Sequence, residues 1–236
     1  MKLADVGLAR TKTARQDKVR SDRLIELFRL KGLAVVVLLF IGVYVPAFVV
    51  TALIKPRPQV AIPLVIGISL AIALVFIFFL SSAAAGFAEF GFKAASYRHV
   101  AAAAALGVPI GLGLTFLVSR FKATNPFGEV SLRPWMIFFY FIVGTPVQEE
   151  VIFRGLLQTT LERRMAGSFS FLGVTLSFGA ISIAVLFGLI HLAVGVLTAI
   201  AAFVLGLLAG ELRRRSSSLL PAIVLHAIFN AFSAMW

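Results

Sequence analysis

Long apolar runs constrain the fold of this chain more than any other feature. Residues 32–53 contain no charged side chain, and neither do residues 61–85. Each run exceeds the roughly 18 residues that a helix needs to cross a bilayer. Because lipid offers the backbone no hydrogen-bonding partners, such runs must form helices, whose backbone groups pair internally. The sequence therefore predicts a membrane protein built from helices.

Composition and charge point to lipid rather than nucleic acid as the surrounding partner. Of the 236 residues, 60% are hydrophobic and 14% are charged, whereas about a quarter of the residues of a typical soluble domain are charged. The net charge of +12 comes from short basic flanks between apolar runs, which is how membrane proteins set their orientation. The chain has no cysteine, which excludes disulfides, thiolate catalysis and thiolate metal sites.

We expect an all-α, polytopic transmembrane helix bundle of about seven spans, with room for one further interfacial or re-entrant helix. Most Lys and Arg residues fall on the side of the N-terminus, which predicts that this terminus is cytoplasmic. The predicted spans are 32–53, 61–86, 100–119, 135–157, 169–192, 194–212 and 219–236.

The spans divide the chain into three regions. Residues 1–31 form a basic cytoplasmic segment, and its end has an apolar face suited to lying against anionic headgroups. Residues 32–134 carry the N-terminal transmembrane helices. Residues 135–236 carry the polar residues of interest.

Two adjacent acidic residues, Glu149 and Glu150, lie well inside an apolar run. An ionised side chain at membrane depth costs at least about 2.5–3.5 kcal/mol, so the pair needs an explanation. Glu150 lies four residues before Arg154 and can pair with it on one helix face. Glu149 is rotated by about 100° and has no partner in its own helix, which suits a general base. The alternative is a purely structural ion pair that locks two helices.

The helix that carries the glutamates is too long for a straight span. Residues 135–164 would extend about 45 Å, against a hydrocarbon core of about 30 Å. Pro146 removes a backbone hydrogen bond, so we expect a bend near Gly144 and Pro146.

Two of the three histidines complete a polar cluster. His99 lies at a loop edge and is expected at the surface. His191 follows Phe187 by one helical turn, and His226 precedes Asn230 by one turn. Together with the glutamates, these residues predict one site, because imidazole passes protons and a carboxamide donates to a developing oxyanion.

The cluster resembles the three motifs of the CAAX protease and bacteriocin-processing (Abi) family of intramembrane proteases, which are EExxxR, FxxxH and HxxxN. Each motif alone is weak, but the ordered set within apolar helices is specific. The resemblance covers roughly residues 135–236. The matching positions are Glu149, Glu150 and Arg154, then Phe187 and His191, then His226 and Asn230.

The resemblance implies a metal-independent glutamate endopeptidase. Glu149 would activate a water with help from His191, while His226 and Asn230 would stabilise the oxyanion. Glu150 and Arg154 would hold the shape of the site. The resemblance implies no cofactor, a membrane-associated peptide or protein substrate, and, by its closer likeness to prokaryotic relatives, a prokaryotic plasma membrane.

Two other hypotheses stay open. In a metal-dependent variant, Glu149, His191 and His226 would bind zinc and Glu150 would act as the base. Intramembrane Glu and His residues also form proton relays, so a proton-coupled transporter, or a non-catalytic immunity or scaffold protein, would carry a similar cluster.

The number of residues between Glu149 and His191 constrains the path of the chain between the first two motifs. A straight helix from residue 169 would place His191 about 33 Å away from its start, far from the depth of Glu149. We therefore expect the stretch before Phe178, within the Gly- and Ser-rich residues 165–180, to lie along the interface or to fold back.

Overall fold

A computed structural model describes residues 31–54, 57–120, 132–165, 167–171 and 174–234. The predicted amphipathic end of the N-terminal segment lies outside the described residues. The described part contains seven apolar helices, one β-hairpin and two short 3-10 helices, Gly86–Phe90 and His191–Ala193. The helices are α1 Lys31–Ile54, α2 Pro58–Leu80, α3 Tyr97–Arg120, α4 Pro134–Arg164, α5 Phe178–Ile190, α6 Val196–Ser216 and α7 Leu220–Ser233.

The helical membrane bundle is confirmed, whereas seven full spans are not. Five helices of the described chain (α1, α2, α3, α4 and α6) are long and apolar enough to cross a membrane. Helices α5 and α7 have 13 and 14 residues. At 1.5 Å per residue they reach only about 20 Å, which is shorter than the hydrocarbon core.

The predicted helical span 169–192 is wrong in its first third. Strand β1 (Ser168–Phe171) pairs antiparallel with β2 (Val174–Ser177), with Phe169 opposite Leu176. Serine and threonine alternate with apolar residues in this stretch, and a period of two is typical of a strand. The prediction that the chain folds back before Phe178 is confirmed.

The start of α5 is fixed by a side chain of the hairpin. Ser177, the last residue of β2, is the N-cap, and its Oγ accepts a hydrogen bond of 2.9 Å from the N–H of Ala180. Serine is favoured here because it satisfies a backbone donor that the first helical turn leaves unpaired. Ser177 Oγ also donates to Glu162 of α4 at 2.5 Å. The cap therefore fixes α5 against α4.

Helix α4 changes its hydrogen-bonding pattern around the glutamates. Two π-helical segments, Ile137–Gly144 and Val151–Gln158, flank the α-helical Thr145–Glu150. Turns of this width are rare and occur frequently at functional sites. The first segment ends at Gly144, two residues before Pro146, where the sequence predicts a bend.

The buried core surrounds the second half of α4. Val151, Ile152, Phe153, Leu156, Leu157 and Leu161 are all buried. Side chains of α5, α6 and α7 pack against them, including Ile183, Leu205 and Leu225. By contrast, α1 and α2 expose many large apolar side chains, such as Phe48 and Phe79, as expected for lipid-facing helices. Helix α4 is thus the central helix of the bundle.

Candidate active site

Glu150 lies at the centre of a fully buried ion pair. Its Oε1 is 3.2 Å from Nη1 of Arg154, and neither side chain is exposed. The predicted pairing of these two residues is confirmed. The same oxygen is 2.8 Å from Nδ1 of His226 on α7. A buried charge needs both a counter-charge and hydrogen bonds to be tolerated. Oε1 of Glu150 has both, whereas its Oε2 has no hydrogen-bond partner among the described residues.

Glu149 is held differently from its neighbour. Its side chain keeps 15% of its exposure, and its Oε2 is 3.7 Å from Nε2 of His226, which is beyond hydrogen-bonding distance. Among the described residues, Oε2 has no hydrogen-bond partner. Glu149 is therefore the accessible carboxylate of the pair, and His226 lies between the two.

The hydrogen bonds of the two histidines fix which ring nitrogen carries a proton. Nδ1 of His191 is 2.7 Å from the carbonyl oxygen of Phe187. A carbonyl only accepts, so this Nδ1 carries the proton and the neutral ring keeps a lone pair on Nε2. Nδ1 of His226 likewise faces the Glu150 carboxylate. Each imidazole therefore has its Nε2 available for chemistry.

Phe187 packs against every ring and cation of the cluster. The guanidinium of Arg154 lies 4.6 Å from the centre of its ring, an attractive cation–π distance. The rings of His191 and His226 are 4.6 Å and 5.9 Å away, and Phe153 is 4.8 Å away. Phe187 therefore packs against the guanidinium and both imidazoles and restricts the rotation of the two imidazole rings.

Asn230 attaches α7 to the widened turn of α4. Its Nδ2 donates to the carbonyl oxygen of Phe141 at 2.9 Å. In π-type pairing this carbonyl would accept from the residue five positions later, which is Pro146 and has no N–H. A primary amide has two N–H donors, and this bond uses one of the two donors of Asn230.

The predicted site residues lie on α4, α5 and α7, except that His191 begins the short 3-10 turn His191–Ala193 directly after α5. Glu149, Glu150, Arg154, Phe187 and His226 make the direct contacts given above. His191 contacts Phe187, whose ring also contacts Arg154 and His226. Among the residues that the structure describes, no three His, Asp or Glu side chains form a group that could hold a metal ion, so the zinc arrangement of Glu149, His191 and His226 is not formed here.

Sequence reasoning missed a polar contact beside Glu149. The buried side chain of Gln148 donates from Nε2 to Oγ of Ser69 on α2 at 3.0 Å and to Oη of Tyr44 on α1 at 3.2 Å. The available signal was a glutamine inside an apolar run. Its partners lie 79 and 104 residues away, and no helical spacing could identify them.

Fold and site together define an integral membrane protein with a buried glutamate, histidine and arginine cluster. Residues 131–232 match the family model described as Rce1-like, type II CAAX prenyl endopeptidase Rce1-like. This match confirms the resemblance to CAAX proteases for the region that carries the cluster, and it supports a CAAX-type protease. It covers less than half of the chain and leaves out α1, α2 and α3. Searches of curated proteins and of solved structures found no match.

Proposed function

We propose that the chain is an intramembrane endopeptidase that hydrolyses a peptide bond of a membrane-associated substrate. One observation carries the proposal. Glu149 is a carboxylate within the membrane, next to the Nε2 of His226, in a region that matches a protease family model. A water bound to this carboxylate would lie beside two imidazoles. Their Nδ1 atoms already donate hydrogen bonds to the Phe187 carbonyl and to Glu150.

The first step is the activation of a water. Glu149 takes one proton from the water as general base, and the Nε2 lone pair of His191 accepts the second O–H as a hydrogen bond. The oxygen attacks the scissile carbonyl, and Glu149 then returns the proton to the leaving amine. A positioned general base accelerates such a reaction by about 10²–10⁴.

The second step is the stabilisation of the tetrahedral oxyanion by α7. His226 and the remaining N–H of Asn230 are the donors, and His226 enters the cycle as an imidazolium that donates from Nε2 to the oxyanion. Glu150 accepts from Nδ1 of His226 and stabilises this imidazolium, which keeps both of its protons through the cycle. Donors of this kind are worth about 10²–10³ in kcat each.

Glu150 and Arg154 hold the shape of the site. Because these two residues pair with each other, Glu149 is the carboxylate that is free to bind water. Helical spacing predicts these different roles for the two glutamates. We assign this chemistry to residues 135–236, with the helices of residues 32–134 beside it. The basic residues 1–31 support a cytoplasmic N-terminus, and we propose a prokaryotic plasma membrane because the chain resembles the prokaryotic relatives more closely.

The test is a cleavage assay with purified protein in lipid vesicles. Peptides with and without a C-terminal prenyl group are incubated with wild type, Glu149→Ala and the control Glu89→Gln, which lies outside the cluster. Wild type and control should cleave, and Glu149→Ala should be slower by at least about 100-fold. Equal cleavage by wild type and Glu149→Ala, or no cleavage of any peptide, contradicts the proposal and favours the transporter or immunity hypothesis.

Chelation distinguishes the two catalytic schemes. Activity that survives thorough chelation supports the metal-independent mechanism. Activity that is lost and then restored by added zinc supports the variant in which Glu149, His191 and His226 bind the metal and Glu150 is the base.

A further inference from the structure

The side chain of Gln148, directly before Glu149, is held by hydrogen bonds to α1 and α2. Gln148 is 4% exposed and Ser69 is fully buried. The two N–H bonds of the Gln148 amide are used by Ser69 Oγ at 3.0 Å and by Tyr44 Oη at 3.2 Å. A primary amide has two N–H donors, so the two contacts occupy its full donor capacity.

Both acceptors are themselves immobilised. Ser69 Oγ donates to the carbonyl oxygen of Val65 within α2 at 2.6 Å, which leaves its lone pairs for Gln148. The ring of Tyr44 packs against those of Phe40 at 4.9 Å and Phe153 at 6.3 Å. The amide of Gln148 is therefore held by two rigid partners on two different helices.

A fixed Gln148 determines where Glu149 points. Adjacent residues of a helix differ by about 100° in direction, so fixing one side chain fixes the rotation of α4 at the next. Tyr44 Oη lies 3.2 Å from Nε2 of Gln148, the residue directly before Glu149, so Tyr44 is near the site. A misplacement of about 1 Å can cost about 10²-fold in rate.

We propose that Gln148 is a positioning residue for Glu149 and that α1 and α2 complete the active site through Tyr44 and Ser69. Both partners lie outside residues 131–232, the region that matches the protease family model. The inference rests on the proposed function, because Glu149 has no catalytic task to be positioned for without it.

The test uses the full chain in vesicles, with rates normalised to the folded fraction from size-exclusion chromatography. Gln148→Met keeps the length of the side chain and removes both donors. We expect kcat to fall about tenfold or more, with KM within about twofold of wild type because the Gln148 side chain is buried and both of its donors are bonded within the protein. Tyr44→Phe removes a single oxygen and should lower kcat about threefold.

Two further variants separate positioning from general stability. In the Gln148→Met background, Tyr44→Phe should cause no additional loss, since their shared hydrogen bond is already gone. Tyr140→Phe removes the same atom from a tyrosine that packs against Trp135 and should leave kcat unchanged. If Gln148→Met does not fold, the kcat of Tyr44→Phe is compared with that of Tyr140→Phe. A lower kcat for Tyr44→Phe alone supports the positioning role, and equal values contradict it.

The outcomes also distinguish the two proposals. If folded Gln148→Met and Tyr44→Phe keep the wild-type kcat while Glu149→Ala is inactive, the positioning role is wrong and the protease function stands. A rise in KM at constant kcat also contradicts positioning. If wild type cleaves nothing, the proposed function itself fails.

Discussion

Glu149 and Glu150 are neighbours in the chain with different surroundings. Oε1 of Glu150 contacts both Arg154 and His226 and its side chain is fully buried, whereas Glu149 keeps 15% of its side-chain exposure and lies 3.7 Å from His226. Helical spacing predicts the pairing with Arg154, because it lies four positions away. The contact with His226 spans 76 residues and depends on how α7 packs against α4, which spacing cannot predict.

Replacing Arg154 should lower the free energy of unfolding of the bundle more than replacing a surface arginine does. Arg154→Leu leaves the Glu150 carboxylate buried without its counter-charge, and breaking such a pair costs about 3–5 kcal/mol. The control Arg215→Leu breaks a pair with Glu211 in which Arg215 is 55% exposed, and it should cost at most about 1 kcal/mol. Denaturant unfolding in detergent micelles measures both. Equal stabilities of the two variants would contradict the structural role of Arg154.

At the scale of elements, the apolar runs predict the long helices and fail at the hairpin. The sequence from Ser168 to Ser177 is apolar on average, so composition alone suggests a continuous helix. Its alternation of serine and phenylalanine indicates strands instead. The π-helical segments of α4 could not be predicted, since they depend on partners such as Asn230 that satisfy backbone groups from another helix.

The close approach of α5 and α6 is set by small residues. A Cβ at Gly206 would lie 3.1 Å from Cα of Ala184 and 3.2 Å from Nη2 of Arg154. Small residues allow such contacts between transmembrane helices. Gly206→Val should therefore separate the helices and displace Arg154, at a cost of about 1–3 kcal/mol and with reduced cleavage.

The matched control for this prediction is Gly113→Val on α3. A Cβ at Gly113 meets nothing within 4 Å, so the same change is made in open space. Thermal unfolding and cleavage rate are measured for both variants. If Gly206→Val unfolds at the wild-type temperature, the close approach of α5 and α6 does not contribute to stability and the prediction is wrong.

At the scale of the whole molecule, the helices outside the family match are attached to those inside it. Beyond the contacts of Gln148, the turn between α2 and α3 is anchored to the ends of α4 and α6. Glu89 of this turn forms an ion pair with Arg163, and its carbonyl oxygen accepts from Nη2 of Arg213 at 3.0 Å. The apolar runs predict the helices, but no feature of the sequence identifies these partners.

This anchor predicts a pH dependence of stability. The hydrogen bond from Ser82, together with the charge of Arg163, lowers the pKa of Glu89 below its ordinary value of 4.5. A carboxylate with a lowered pKa stabilises the fold above the unfolded-state pKa, and this contribution is lost as the pH falls through the folded-state pKa. Wild type should therefore be more stable than Glu89→Gln at pH 7, and the difference should shrink below pH 4.5.

Thermal unfolding of both proteins in the same detergent, from pH 7 down to pH 3, measures this effect. Salt should weaken it as well, because the pair with Arg163 is partly exposed and is screened. Unfolding temperatures of the two proteins that stay parallel over the whole pH range would show that Glu89 does not stabilise the turn.

The central claim is that Glu149 is the general base and that Glu150 is the structural partner of Arg154. It is tested most directly by measuring the cleavage rate and the unfolding temperature of Glu149→Gln and Glu150→Gln under the same conditions. We predict that Glu149→Gln unfolds like wild type and cleaves at least about 100-fold more slowly. Glu150→Gln should unfold at a lower temperature, because Arg154 loses its counter-charge. Cleavage at the wild-type rate by Glu149→Gln would contradict the assignment of this residue as the base.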